Sequence, residues 1–207
     1  MAFPMAHLIC AYEWARQRAF LASCPEYYLG AISPDAIHMR AHSDRAMKCA
    51  VHLGIWQSDS PKSVLDYWEK RRAPFDIGYG IHILTDWAWV HYYRARFSRE
   101  LVDENDRVRP EIYYPDCDRA DYLIFLNDGR LSRALPLLRA AVPCADHPYL
   151  SADEIARWRE RCLNIYNQGL DISRPARVIT QEVVENFLGE AAALVDALIA
   201  PGTLDGA

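Results

Sequence analysis

Apolar positions recur at helical spacing along most of this chain, and runs of strand-like alternation are few and isolated. Residues 5–22 carry Leu8, Tyr12, Ala15 and Ala19 on one face, with Arg16 and Arg18 elsewhere, which predicts an amphipathic helix ended by Cys24-Pro25. Residues 27–32 read as a short apolar connection. Ser33-Pro34-Asp35 is a helix-start signal: Ser at the N-cap, Pro at N1 and an acid in the first turn. A helix over 44–55 follows, and Ser60-Pro61 opens another whose apolar face is Val64, Leu65 and Trp68. After Pro74 the longest helix is predicted over 76–97. Residues 103–118 are charged, contain Pro110 and Pro115, and read as a long irregular loop. Short helices are predicted over 121–126 and 131–141. Ser151-Ala-Asp-Glu154 has the capping-box pattern for a helix ending near Gly169, and a last helix over 180–200 is stopped by Pro201-Gly202. The expected fold is a single all-α domain over 1–207, with its chemistry within 5–95 and helices over 130–200 completing the core.

Composition sharpens this picture. With 207 residues, 51% of them hydrophobic, 6 Trp and 12 Tyr, the chain has the material for a sizeable core and not for a disordered segment. A net charge of -5 argues against a basic nucleic-acid surface, so no stable nucleic-acid partner is expected. The six Cys, at 10, 24, 49, 117, 144 and 162, include no CxxC pair and read as buried apolar residues of a reducing compartment. The first residues lack the basic and apolar regions of a leader, and no run approaches a membrane span, so a cytoplasmic protein is expected.

The candidate chemistry lies on the long helix. His82 and Asp86 are four residues apart and share a helix face, flanked by Trp87 and Trp89. A carboxylate buried there needs a positive partner, and a metal ion is the strongest one. Asp35 and His52 complete a set of two imidazoles and two carboxylates that suits zinc, although manganese or iron(II) also fits. His7 is a fifth candidate, with Asp86 then able to bridge two ions. Taken singly, each residue has an ordinary explanation: a satisfied core histidine, a first-turn acid, or an i, i+4 pair of a few tenths of a kcal/mol. The placement of all of them on aromatic-rich helices is what favours a site.

The order His7, Pro34-Asp35, His52 and Gly80-x-His82-x-x-x-Asp86 resembles the zinc-dependent phospholipase C superfamily, which includes the single-strand-specific nucleases. The similarity covers roughly residues 5–95, and its most specific parts are Leu29-Gly30-Ala31-Ile32-Ser33-Pro34-Asp35 and His82-Ile-Leu-Thr-Asp86-x-x-Trp89. The resemblance implies an all-α hydrolase of phosphate esters. In it Asp35, His52, His82 and Asp86 hold one zinc while His7 and Asp86 share a second, and the family holds up to three. The family has a further His after its HxxxD motif. His91 is the nearest match here, although on an unbroken helix it lies 180° from His82 and reaches the site only where the helix ends or bends first. No second HxxxD follows, and secreted relatives use a processed N-terminal residue that this chain does not match. One or two ions are therefore expected rather than three.

Asp35 is the expected catalytic carboxylate, orienting a water or taking its proton. Arg40 and Lys48 are candidate phosphate contacts and Tyr113 and Tyr114 candidate stacking rings, while His38, an i, i+3 partner of Asp35, reads as a polar residue at the site mouth or else as a donor to Asp35 or an alternative ligand, with His42 near it. Asp116, Asp118 and Asp121 read as a solvated acidic turn able to lend a carboxylate, and His147 as loop surface. Candidate substrates are a small phosphoester, a phospholipid headgroup or a nucleotide. The competing class is a metal-stabilised helical domain for binding or assembly, without turnover.

Overall fold

A computed structural model describes residues 3–57, 60–143 and 147–199. Cys144 and the Pro201-Gly202 stop signal lie outside the described residues. Among these residues there is no strand beyond an isolated Val102–Val108 bridge, and the fold is all-α.

The first helix, α1 (Pro4–Ala15), begins with Pro at its first position and is buried on nearly every side. It stops at Ala15, and a separate turn of helix, α2 (Ala19–Ala22), follows where one continuous helix was expected. Residues 27–32 are not a connection: they form α3 (Pro25–Ile32), again opened by Pro and buried throughout its apolar run. The chain then passes straight into a 3₁₀ turn, Ser33–Met39. Ser33 therefore has no exposed helix end to cap, and its hydroxyl donates instead to the Leu29 carbonyl at 2.6 Å. Next comes α4 (Arg45–Val51), capped by Asp44, which accepts from the Met47 amide at 2.7 Å. It ends at His52, after which Leu53 and Gly54 turn the chain with positive φ. Beyond a short 3₁₀ segment (Ile55–Gln57) and α5 (Lys62–Lys70), Pro74 starts the central helix, α6 (Pro74–Leu101).

From Phe75 to Asp86 every residue of α6 is buried, which marks a helix surrounded by protein. Its closest neighbour is α3, and the approach is backbone to backbone. A Cβ on Gly30 would lie 2.0 Å from the Phe75 carbonyl oxygen, and one on Gly78 would lie 2.0 Å from that of Tyr27. The two glycines bring the helices together at the level of the site.

The expected loop over 103–118 is largely helix. Only a tight turn follows α6, in which the Asp103 carboxylate accepts from the Asn105 and Arg107 amides. Then α7 runs Pro110–Asn127. Pro110 occupies the first helical position, where a missing N–H costs nothing. Pro115 and Glu111, the residue whose carbonyl loses a partner, are both exposed, so water replaces that bond. The remaining helices are α8 (Leu131–Ala140), α9 (Ala152–Asn164) and α10 (Gln181–Leu198). The Ser151–Glu154 capping box is present, with both reciprocal bonds. The helix it opens ends five residues before Gly169, which has a positive φ of 74° in the following turn. Helix α10 is capped by Thr180 and packs on α1, α6 and α7.

His147 is a correction to its reading as loop surface, because it is buried against Tyr79 with ring centroids 4.4 Å apart. The Tyr149 amide donates to Nδ1 at 3.4 Å, so the proton sits on Nε2, which faces the Tyr67 hydroxyl at 3.2 Å. That hydroxyl in turn donates to Asp76 at 2.6 Å. Burial, followed by the charge of Arg71, pushes the His147 pKa down to about 4. An imidazole kept neutral in the fold but protonated below pH ~6.5 when unfolded supports stability above that pH and loses it as pH falls toward 4. A urea-denaturation series from pH 7 to pH 4 is expected to show this loss and to show it blunted in His147→Phe. An unchanged pH dependence in the variant would contradict the assignment.

Candidate metal centre

Four segments deliver five side chains to one interior point. His7 comes from the first turn of α1, Asp35 from the 3₁₀ turn, His52 from the end of α4, and His82 and Asp86 from the middle of α6. None is more than 2% exposed. The i, i+4 spacing that suggested the pair on α6 holds, with His82 Nε2 3.8 Å from Asp86 Oδ2. His52 Nε2 stands 3.6 Å from both Asp35 Oδ1 and Asp86 Oδ2, and His7 Nε2 stands 3.4 Å from Asp86 Oδ1. The His7 and His82 rings stack at 3.7 Å.

The imidazoles are aimed. His82 Nδ1 donates to the Ala31 carbonyl at 2.8 Å and His52 Nδ1 to that of Lys48 at 2.9 Å, which leaves each Nε2 as a lone-pair donor facing the cluster. Those two Nε2 atoms, both ring nitrogens of His7 and Asp35 Oδ1 are buried without a hydrogen-bond partner. So many unsatisfied polar atoms at one point are costly in a fold that otherwise pairs its buried groups. Two overlapping sets, His7–Asp35–His82 and His52–His82–Asp86, have their donor atoms within 4.8 Å of one another. Nitrogen and carboxylate donors at this spacing fit a divalent ion such as zinc.

The electrostatics suit ligation as well. Burial, then the neighbouring His7 ring, pushes the His82 pKa down to about 3, so its imidazole stays neutral and able to bind a cation. Burial on its own would raise the carboxyl pKa values of Asp35 and Asp86. The surroundings outweigh that burial cost and bring both below the ordinary range, and the two acids stay ionised.

His91 does not join them. Helix α6 keeps helical geometry past it, with a departure only at Phe97, so the half-turn offset from His82 persists. Its ring is exposed, lies against Trp87 and donates to the Trp87 carbonyl at 2.8 Å. The acids of α7 are also accounted for elsewhere. Asp116 accepts from the amides of Arg177, Val178 and Ile179, which ties down the segment before α10. Asp118 is exposed. Asp121 accepts from the Met5 and Ala6 amides and from the Tyr166 hydroxyl, closing the N-terminus of α1 just before His7. The burial of Asp116 and Asp121 was invisible in sequence because their partners lie 45 or more residues away along the chain.

A cleft of ≈ 410 Å³ opens above the cluster, with Asp35, His52 and Asp86 on its floor. Lys48 lines it, as do Tyr113 and Tyr114. His38 stands at the side, its Nε2 3.9 Å from Asp35 Oδ1, while His42 is exposed outside. Arg40 is not a phosphate contact: its guanidinium holds Glu154 at 2.7 Å and 3.0 Å and the Tyr149 carbonyl at 2.9 Å. Trp56, a wall of the cleft, had one sequence signal, its position four residues after His52. Comparison with protein-family models, curated proteins and solved structures finds no match for this chain.

Proposed function

We propose that this chain is a zinc-dependent hydrolase of phosphate esters, in keeping with its resemblance to the phospholipase C superfamily. The observation that carries this reading is the convergence of unpartnered imidazole nitrogens and ionised carboxylates on one buried point beneath an open cleft. His7, Asp35, His52, His82 and Asp86 are the residues that would hold the ion or ions. A zinc bound there would supply Lewis acidity toward a phosphoryl oxygen and would lower the pKa of a bound water to about 7.

The protein's own groups do the rest. Asp35, with Oδ1 unpartnered and its side chain on the cleft floor, orients the attacking water and takes its proton. Lys48 offers a cation to the phosphate from the cleft wall. The carbonyls of Ala31 and Lys48 hold His82 and His52 in fixed tautomers, so the ligand set is preorganised. Candidate substrates are small phosphoesters, a phospholipid headgroup or a nucleotide. Among the described residues no helix is long and apolar enough to cross a membrane.

The test is metal content by elemental mass spectrometry, on protein purified without an affinity metal, paired with turnover of a chromogenic phosphodiester. Wild type is expected to hold one or more zinc per chain and to turn the ester over, and His82→Ala with Asp86→Ala to lose both. Asp35→Asn is expected to lower turnover roughly a hundredfold or more. Zinc bound without turnover of any phosphoester would leave a metal-stabilised binding or assembly domain, and no zinc uptake would sink the metal centre.

A further inference from the structure

Helix α4 and the turn after it contribute to two cavities. Lys48 and His52 line the cleft over the cluster, whereas Ala50 and Leu53 line a separate pocket of ≈ 510 Å³. Among the described residues none lines both. One wall of the second pocket is a face of α5, where Ser63, Asp66, Tyr67 and Lys70 recur at i, i+3, i+4 and i+7. Pro148 and the exposed Tyr149 complete its rim. The volume falls within the range of small-molecule sites.

The walls are fixed by hydrogen bonds between distant segments. The Tyr67 hydroxyl donates to Asp76 at 2.6 Å and Arg71 Nε to the same carboxylate at 2.9 Å. Tyr149 is held on both sides, its amide donating to His147 Nδ1 at 3.4 Å and its carbonyl accepting from Arg40 at 2.9 Å. A pocket pinned in this way is preorganised, so a ligand need not order it. Its ionic groups cancel except for one. Lys62 holds Asp66 at 2.7 Å and 2.8 Å, and Asp76 matches Arg71. Lys70 makes no ion pair with any described residue. It begins Lys70-Arg71-Arg72, the only run of three basic residues in a chain of net charge -5. At the other end of the α5 face, the Ser63 hydroxyl is shielded from solvent without a hydrogen-bond partner. A turn about one side-chain bond brings it to the pocket that Ser63 lines.

We infer that this pocket binds a small organic carboxylate. Its charged end meets Lys70, its apolar body lies between Leu53 and the Pro148-Tyr149 rim, and a hydrogen-bonding group reaches Ser63. A single unmatched positive charge selects a monoanion over a phosphate dianion. Seven helical residues separate Ser63 from Lys70, so the two polar ends of the ligand lie about 10 Å apart. The site is distinct from the metal centre, and the inference stands whether or not the cluster holds zinc.

The test is a titration of the full chain followed by nuclear magnetic resonance. The probes are 4-(4-hydroxyphenyl)butanoate, its neutral amide, and 3-(4-hydroxyphenyl)propylphosphonate, which share a body of matching length and differ in charge. Affinity is read from the backbone amide shifts of Leu53, Ser63 and Lys70, so that binding at the metal centre is told apart. The carboxylate is expected to bind in the millimolar range or tighter and roughly fivefold more tightly than the amide. Lys70→Gln is expected to remove that preference. Ala50 is exposed on the pocket wall, and Ala50→Trp is expected to block binding while leaving the circular dichroism spectrum unchanged. Any one of four results would overturn the inference: no shift at the three amides, equal affinity for carboxylate and amide, tighter binding of the phosphonate there, or binding that survives Ala50→Trp.

Discussion

Gly30→Ala is expected to destabilise this fold severely. The added methyl would stand 2.0 Å from the Phe75 carbonyl oxygen and 2.9 Å from the Tyr79 amide nitrogen. Both are backbone atoms of α6, so no rotamer change relieves the contact, and α3 and α6 must separate. Overpacking that side chains can absorb costs about 1–3 kcal/mol, and a backbone clash exceeds that range. For a chain of this size the loss corresponds to a melting point lowered by roughly 10 °C or more. Gly78→Ala, whose methyl would lie 2.0 Å from the Tyr27 carbonyl oxygen, is expected to do the same. Gly189 is the control. It lies in α10 with nothing near its missing Cβ, and alanine there is expected to stabilise by about 0.5–1 kcal/mol. Thermal unfolding followed by circular dichroism checks all three, and a Gly30→Ala melt within 2 °C (approximately) of wild type would contradict the packing described.

Asp86→Asn is expected to cost far more stability with metal than without it. Its carboxylate lies 3.4 Å from His7, 3.6 Å from His52 and 3.8 Å from His82, at the centre of the cluster. A ligand that binds only the native state stabilises it by about 4 kcal/mol at a thousandfold excess over its Kd, and removing the central carboxylate forfeits that gain. In the presence of a chelator the same substitution replaces a buried charge by a neutral amide of equal shape. There a smaller loss is expected, because the surroundings that hold Asp86 ionised favour its charge in the metal-free fold as well, while the gain from metal binding is already absent. Urea denaturation of both proteins in zinc and in chelator separates the cases. Equal losses in the two conditions would mean that Asp86 serves the fold and not a metal.

The positions that sequence reasoning misjudged share one property. Asp116 and Asp121 look like members of a charged turn, yet each is buried and accepts backbone N–H groups from remote segments. His147 lies between Asp146 and Pro148 and looks like loop, yet its ring fills a niche among Tyr67, Tyr79 and Phe75. In each case the deciding partner is distant along the chain, and local composition carries no record of it. Pro110 and Pro115 misled differently: proline ends helices in their interior but opens them at the first position, and only solvent exposure tells which applies.

The residues by themselves determined the helical class, through apolar spacing and through caps such as Ser151–Glu154, because these signals act over three or four residues. They also determined that His82 and Asp86 share a helix face and that His91 does not, since helix geometry alone decides it. Tertiary structure decided the rest. It set the close approach of α3 and α6, and it placed His7 by tying the preceding Ala6 amide to Asp121, 115 residues along the chain. It also put Trp56 and Tyr114 on the lining of one cleft. Those outcomes depend on how whole helices pack, and packing is a property of surfaces assembled from the entire chain.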